Sequence, residues 1–289
     1  MLIGLSHIVR SSFNQIVMNP RRSKNDDRQS GSFVYRTQSG LMFELQPNEY
    51  VDRFIAVEGI YERRFLSYLH SVLKPHSVML DIGANIGNHA IYLAGKCSDI
   101  HCFEPNPHVA NRLRHNISLN SLAHKISVHE FGLGSEDQML PFLENVDGNL
   151  GASYFAQSDE IPAGHEVKHL QVRQALQAVA ELNLDRIDYI KIDVEGMEEA
   201  VLTALQPIIA QHRPLVTFEH HEQRVAQGTF GRICKAFDGY KMMNPTFAPS
   251  EGSVTQKLFW NLRHDGGPIL TEITAPERRT YENILAMPL

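Results

Sequence analysis

The sequence predicts an α/β domain with a doubly wound, mostly parallel sheet, and three observations carry that expectation. Short apolar runs alternate with helical patterns from residue 78 onward, four of the five runs end in an acid, and the first leads into a glycine-bearing turn. Alternating strand and helix signals imply parallel strands with helices on both faces. In such sheets ligands bind outside the carboxyl ends of the strands, which is where these acids fall.

In chain order, Leu2, Leu5, Val9, Phe13 and Ile16 repeat at helical spacing, and residues 1–25 carry Arg10, Arg21, Arg22 and Lys24 but no acid. This suits a short helix that packs on the domain or on a partner, although a transit peptide shares the pattern. Residues 18–32 are polar and read as a linker. An apolar face of Phe65, Leu66, Leu69, Val72 and Leu73 predicts a helix that stops before Pro75. The five strand runs are Val78–Leu80 ending at Asp81, Ile100–Phe103 ending at Glu104, Ile126–Phe131, Ile187–Ile192 ending at Asp193, and Leu215–Phe218 ending at Glu219. Helical patterns occupy Ala90–Leu93, Val109–Leu119, Leu170–Leu182 and Met197–Ile209. The stretch 132–169 is long for a structureless connection, which favours a functional loop or added strands. The tail offers strand-like pieces at Lys241–Met243, Lys257–Leu262 and Ile284–Met287.

A length of 289 residues fits one large domain or two small ones. With 43% hydrophobic residues the chain is globular, and a net charge of −6 argues against a dedicated nucleic-acid binder. No run approaches the roughly 18 apolar residues of a membrane span. Cys97, Cys102 and Cys234 neither form a disulfide framework nor pair at zinc spacing, which points to a reducing, cytoplasmic setting.

The strongest local signal is Val78-Met-Leu-Asp-Ile-Gly-Ala-Asn-Ile-Gly-Asn88. A strand runs into a turn where Gly83 and Gly87 permit tight turning and close backbone approach to a ligand. A dinucleotide site wants G-x-G-x-x-G, and Asn85 and Asn88 occupy two of those glycine positions. A ligand without a pyrophosphate does not need them. S-adenosylmethionine is such a ligand: Asp81 would orient it through a water or its α-ammonium, and backbone N–H groups of 83–87 would hold its carboxylate. Glu104, 23 residues after Asp81, stands where an acid accepts hydrogen bonds from ribose hydroxyls. Pro105 and Pro107 fix the chain that leaves it.

Leu80-Asp-Ile-Gly-Ala-Asn-Ile-Gly87, Phe103-Glu-Pro-Asn-Pro107 and Ile187-Asp-Tyr-Ile-Lys-Ile-Asp-Val-Glu-Gly196 together resemble the FkbM family of S-adenosyl-L-methionine-dependent methyltransferases. Gly59-Ile-Tyr-Glu62, Asn149–Ser153 and Pro214–Glu219 extend the resemblance over roughly 58–289. It implies a Rossmann-like class I methyltransferase domain, a seven-stranded sheet with an antiparallel last strand pair, spanning 51–289 behind an N-terminal extension of 1–50. It implies methyl transfer, usually to oxygen, with a hydroxyl of a sugar, glycan or other small molecule as acceptor. By matching positions, Glu62, Asp81, Gly83, Asn85, Gly87, Glu104 and Asn106 would bind the cofactor. Lys191, Asp193, Glu195 and Gly196 would line the methyl-transfer side. The family usually shows Thr-Leu-Asp where this chain reads Ala175-Leu-Gln177, which leaves substrate choice or local hydrogen bonding altered there.

A hydroxyl acceptor needs alignment, exclusion of water and removal of its proton. Asp193 is the first choice for a catalytic or acceptor-orienting carboxylate, Glu195 the second, and Lys191 shares their strand face. The same acids could instead fix the turn and cap the next helix. His220, after the following strand, is a rival base, although a structural histidine is the default for one of 15. His165-Glu-Val-Lys-His169 matches H-E-x-x-H in letters, but its surroundings look strand-like and no third ligand follows. No metal is therefore assigned, although Asp193, Glu219 and His220 are compatible with one. A nicotinamide-dependent oxidoreductase and a catalytically silent scaffold on the same fold are the alternative functions. A homo-oligomer is compatible with the sequence.

Overall fold

The computed structural model describes residues 31–145, 153–156, 164–220, 228–247, 267–274 and 280–289. A hairpin of β1 (Phe33–Arg36) and β2 (Met42–Leu45) precedes helices α1 (Tyr50–Glu58) and α2 (Arg63–Val72). Then come β3 (Ser77–Ile82), α3 (Asn88–Leu93), β4 (Cys97–Phe103), α4 (Pro107–Leu119) and β5 (Ile126–His129). A second group holds β6 (Gly132–Gly134), β7 (Gln138–Asn145), β8 (Tyr154–Phe155), β9 (His165–Gln174) and helix α5 (Ala175–Ala180). The chain returns through β10 (Tyr189–Ile192), α6 (Glu198–Ala204), α7 (Gln206–His212), β11 (Leu215–His220) and α8 (Thr229–Cys234). It ends with β12 (Tyr240–Thr246), β13 (Ile269–Glu272) and β14 (Tyr281–Pro288).

The main sheet runs β13-β12-β14-β11-β10-β3-β4-β5. The five strands from β11 to β5 are parallel, and β14 lies antiparallel against both β11 and β12. Where seven strands were expected the sheet has eight, because Ile269–Glu272 pairs with the outer edge of β12 at Met243–Thr246. The chain builds outward from β3 to β5, then restarts on the other side of β3 with β10. The β3/β10 boundary is therefore the topological switch point, where ligands bind in open α/β sheets.

Alternation along the strands divides the core in two. Met79, Tyr189 and Leu285 face a layer made by α1–α4 and the hairpin, while Leu80, Ile82, Ile190, Val216 and Phe218 face α5–α8. The hairpin, placed above in the N-terminal extension, shares the first layer: Phe43 and Leu45 are fully buried in it. Its outer edge is covered by α4, where Asn116 Oδ1 accepts from Glu44 N–H at 2.7 Å and Asn120 Oδ1 from Met42 N–H at 2.9 Å. The buried Arg112–Asp52 pair joins the same helix to α1. An edge strand paired by side chains is no longer a template for association.

Two helices come out shorter than their patterns. Leu170–Leu182 is strand up to Gln174, because Leu170 and Val172 alternate onto Phe142 and Phe155 while β9 pairs with both β6 and β7. Met197–Ile209 breaks at Leu205, since Pro207 has no N–H to continue the ladder. The stretch 132–169 supplies a second sheet, ordered β6-β9-β7-β8. His165 and His169 lie on its strand β9, about 13 Å apart by strand rise rather than one above the other on a helix. At Ala175-Leu-Gln177, Gln174 Oε1 accepts from Gln177 N–H at 2.6 Å. The departure from the family pattern thus falls on a helix N-terminus capped by the preceding residue. The Lys257–Leu262 piece and the helical pattern of 1–25 lie outside the described residues. No described helix is long and apolar enough to cross a membrane.

Candidate active site

The glycine loop leaves β3 at the switch point. Gly83 has φ +78°, and a Cβ there would stand 1.8 Å from the carbonyl oxygen of Asp193. Only a glycine lets the loops leaving β3 and β10 cross at this distance, so its first constraint is chain against chain rather than chain against ligand. Gly87, φ +89°, opens α3, and a Cβ would meet Leu113 Cδ1 at 2.5 Å. The expectation that N–H groups of 83–87 receive a ligand carboxylate is largely corrected. Gly83 and Ala84 N–H donate to Phe103 O, Gly87 N–H to Ala84 O, and Asn85 N–H to Glu104 Oε2 at 3.1 Å. Asn88, in place of a third glycine, clamps the Tyr61 main chain: it accepts from Tyr61 N–H at 3.1 Å and donates to Tyr61 O at 3.0 Å.

Glu104 lies at the end of β4 and is buried. Its second oxygen accepts from Asn106 N–H at 2.9 Å. Burial pushes its carboxyl up to about 7, with the Asn106 and Asn85 N–H bonds pulling the other way. The Asn106 side chain is itself committed, donating to Glu144 Oε1 at 2.7 Å and accepting from His108 N–H at 3.1 Å to cap α4. It orients Glu104 through its main chain. Glu104 and Asn85 line a cleft of about 670 Å³, open to solvent, whose far side includes Leu133, Phe155, Asp193 and Glu195. The Phe142–Phe155 pair, at 5.2 Å between ring centroids, makes its wall from the second sheet.

On the α1–α4 face of the sheet, β10 adds Lys191. Its Nζ donates to Gly83 O at 2.6 Å and lies 3.2 Å from Asp193 Oδ2 and 3.6 Å from Asp81 Oδ1. Burial disfavours its charge, but Asp193 and Asp81 reverse this and hold the ammonium well above its usual range. Asp81 is fully buried, and neither of its oxygens receives a hydrogen bond among the described residues. Its acceptors are thus unused apart from the ion pair with Lys191. Glu62 also lies on this side, away from the residues lining the cleft with Glu104. Burial would raise its carboxyl, yet His89 Nε2 at 3.2 Å and the Asn283 amide at 2.6 Å hold it below the usual range.

Asp193 belongs to both regions, as it lines the cleft and pairs with Lys191. Glu195 follows in the left-handed region, φ +48°, on a turn fixed by Glu198 Oε1, which accepts from Val194 N–H at 3.2 Å and Gly196 N–H at 3.1 Å. His220 is not gathered with them. It is fully buried on the opposite face with Val216 and Phe218, its ring 5.3 Å from that of Phe230. Strand alternation explains this, since the odd positions of β11 face Lys191 and the even positions face α8.

Glu219, considered from the sequence only as a metal ligand with Asp193 and His220, is brought into this group while His220 is not. Register pairs Lys191 with Thr217 and Ile192 with Phe218, which brings Glu219 beside Asp193. Burial, then Asp193 and Glu195, push its carboxyl up to about 9, while Lys191 pulls it down. The signal was its place as the acid ending the fifth apolar run. Glu198 and the Phe142–Phe155 wall had no comparable signal.

The methyltransferase FkbM domain matches residues 81–243, from the β3 acid to β12. The AMB antimetabolite synthetase AmbE of Pseudomonas aeruginosa is 28% identical over 62% of this chain, which spans only 10% of that much longer protein. The 2-O-methyltransferase NoeI of Sinorhizobium fredii is 27% identical over 54% of this chain and 68% of its own length. The crystal structure of methyltransferase FkbM from Methylobacillus flagellatus superposes with a TM-score of 0.44 and 18% identity, over 82% of this chain and 52% of that one. With the domain match covering more than half of its residues, the chain belongs to the methyltransferase FkbM domain family.

Proposed function

We propose that the protein transfers a methyl group from S-adenosylmethionine to a hydroxyl of a sugar, glycan or other small molecule. The observation that carries this is the double membership of Asp193. It closes the cleft that contains Glu104 and heads the carboxylate group at the ends of β10 and β11. A ribose would donate its hydroxyls to Glu104, already braced by Asn85 and Asn106, and a positive group would meet Asp81, whose acceptors are unused apart from the ion pair with Lys191. When bound, the cofactor supplies an electrophilic methyl carbon and its own leaving group. The chain's residues then align the acceptor, exclude water and manage its proton. Lys191 fixes the Asp193 carboxylate so that it can receive a hydrogen bond from the acceptor hydroxyl. A hydroxyl acceptor is favoured because the described carboxylates at this end accept hydrogen bonds, and NoeI carries 2-O-methyltransferase in its name.

Calorimetric titration of the purified protein with S-adenosylmethionine, with NADH in parallel, tests the cofactor. Saturable binding of the first alone is expected. Binding of NADH, or no binding of either by folded protein, overturns the reading. Transfer of labelled methyl groups to a panel of glycans and hydroxylated small molecules then tests the acceptor. A base-stable ether is expected, and label found only as methylamine or base-labile ester refutes O-methylation.

A further inference from the structure

The second sheet does more than wall the cleft with Phe142 and Phe155. Two residues further along β7, on the same face as Phe142, stands the buried Glu144. Its Oε1 accepts from the Asn106 side-chain amide at 2.7 Å, and its Oε2 lies 2.6 Å from Lys168 Nζ of β9. Asn106 and Glu104 both line the cleft, whereas Glu144 is not among the lining residues.

We propose that Glu144 is a positioning residue for the cofactor: acting through Asn106, it holds the Glu104 carboxylate in place for the ribose hydroxyls. The second sheet then sets how tightly the site grips its cofactor. This rests on the function proposed above and deepens it by naming what fixes the ribose acceptor.

Glu104 leads into Pro105-Asn-Pro107. Neither proline has an N–H, so the Asn106 N–H is the one main-chain donor that these three residues can offer the carboxylate. It donates to Glu104 Oε1 at 2.9 Å. Where that N–H points depends on how the Asn106 side chain is held, since its Oδ1 caps α4 by accepting from His108 N–H at 3.1 Å. An asparagine amide can be turned over, which exchanges its oxygen and its nitrogen. Glu144 opposes this, because a turned amide would set its oxygen against a carboxylate and its NH2 against the His108 N–H. One orientation satisfies both ends. Asn106 is buried, so without Glu144 its amide donor is left unpaired and must turn or shift to find a partner. Either movement draws the Asn106 N–H away from Glu104. Glu144 suits the task because its own place is fixed. Every residue of β7, Gln138–Asn145, is paired with β9, and the Lys168 ammonium holds the second carboxylate oxygen.

The test is calorimetric titration with S-adenosylhomocysteine of native protein, Glu144→Ala, Glu144→Gln, Glu104→Ala and the double variant Glu104→Ala/Glu144→Ala. Partners that orient metal-binding side chains carry about 10- to 100-fold of affinity. Glu144→Ala should weaken binding on the order of 10-fold, the lower end of that range, because the Asn85 N–H still braces Glu104. Glu144→Gln keeps an oxygen for the Asn106 amide and should stay within about threefold of native protein. In the Glu104→Ala background there is no carboxylate left to position, so Glu144→Ala should cost about twofold or less. A residue that merely holds the second sheet together would cost the same factor in both backgrounds. That result overturns the proposal, as does unchanged affinity in Glu144→Ala or a loss in Glu144→Gln as large as in Glu144→Ala. Failure of native protein to bind refutes the proposed function instead. Should Glu144→Ala not fold, Glu144→Asp takes its place in the cycle, keeping the charge that faces Lys168 but drawing the carboxylate back by one methylene. The same non-additivity is expected, and an equal loss in both backgrounds, or no loss in either, overturns the assignment.

Discussion

Glu104 and Glu219 are both largely buried glutamates at the carboxyl ends of parallel strands, on opposite sides of the switch point, yet their surroundings differ in kind. Glu104 is met by two backbone N–H groups, from Asn85 and Asn106. Glu219 stands among Asp193, Glu195 and Glu62, with Lys191 opposing them. Burial raises both, but the first settles near 7 and the second near 9. Hydrogen bonds to the charged form offset burial, whereas like charges add to it. The charge state of a strand-end acid is therefore set by what its neighbours donate, not by its place in the sheet.

The largest expected effect comes from removing the cation on the acidic side. Lys191→Met leaves Asp81 buried without its charge partner, which costs about 3–5 kcal/mol. Urea denaturation would measure it, and a loss below about 1 kcal/mol would mean that Asp81 does not depend on this pair. Asp193→Asn follows. It keeps the shape of the residue shared by the two regions but removes its charge, so kcat should fall on the order of 10²–10³-fold. Cofactor affinity should stay within about threefold by calorimetry. A parallel loss of both would make Asp193 a cofactor ligand or a structural residue.

The next effect lies on the other side of the comparison. Glu104→Gln should weaken cofactor binding about 10- to 100-fold, because hydrogen bonds to a charged group are worth about 1.5–3 kcal/mol. Its pH behaviour has a defined sign. The folded carboxyl, near 7, lies above its model value of 4.5, so native protein binds more protons than unfolded protein between these values. Stability therefore falls as pH rises through that window. Cofactor affinity rises over the same range, because ribose hydroxyls favour the carboxylate. Thermal melts and titrations from pH 5 to 8 should show these opposite slopes, and Glu104→Gln should flatten both. Slopes that persist in the variant would move the titration to another group.

Much of this fold was legible because its signals are periodic. All five apolar runs contribute strands, and the acids at 81, 104, 193 and 219 fall at the switch-point end. Contacts made across long sequence separations were not legible. Gly83 reads as a ligand glycine until its neighbour proves to be the Asp193 carbonyl, 110 residues away. His220 stays a rival to Asp193 as base, beside its default as a structural histidine, until register sets it on the far face, and one position decides that. Added strands over 132–169 were among the expectations, but their pairing was not legible, because β7 and β9 meet across a long, glycine-containing stretch with weak alternation. The raised Glu219 carboxyl was not legible either, because it depends on Asp193, Glu195 and Glu62, which come from other elements.

The smallest expected effect isolates the main chain of the glycine loop. Asn85 adopts φ +50°, a left-handed conformation that asparagine tolerates and glycine takes at no steric cost. Its N–H, not its side chain, braces Glu104. Asn85→Gly removes the amide while leaving the N–H and the turn in place, so stability should change by no more than about 0.5 kcal/mol. Cofactor affinity should then change less than about threefold, since the brace on Glu104 is unaltered. Asn85→Ala tests the conformation separately, as a Cβ without a polar side chain in this region costs roughly 1 kcal/mol. If Asn85→Gly instead lowered affinity as much as Glu104→Gln, the Asn85 amide would itself contact the ligand. The cofactor side would then be built from side chains in the same manner as the acidic side, and the contrast between the two regions would fail.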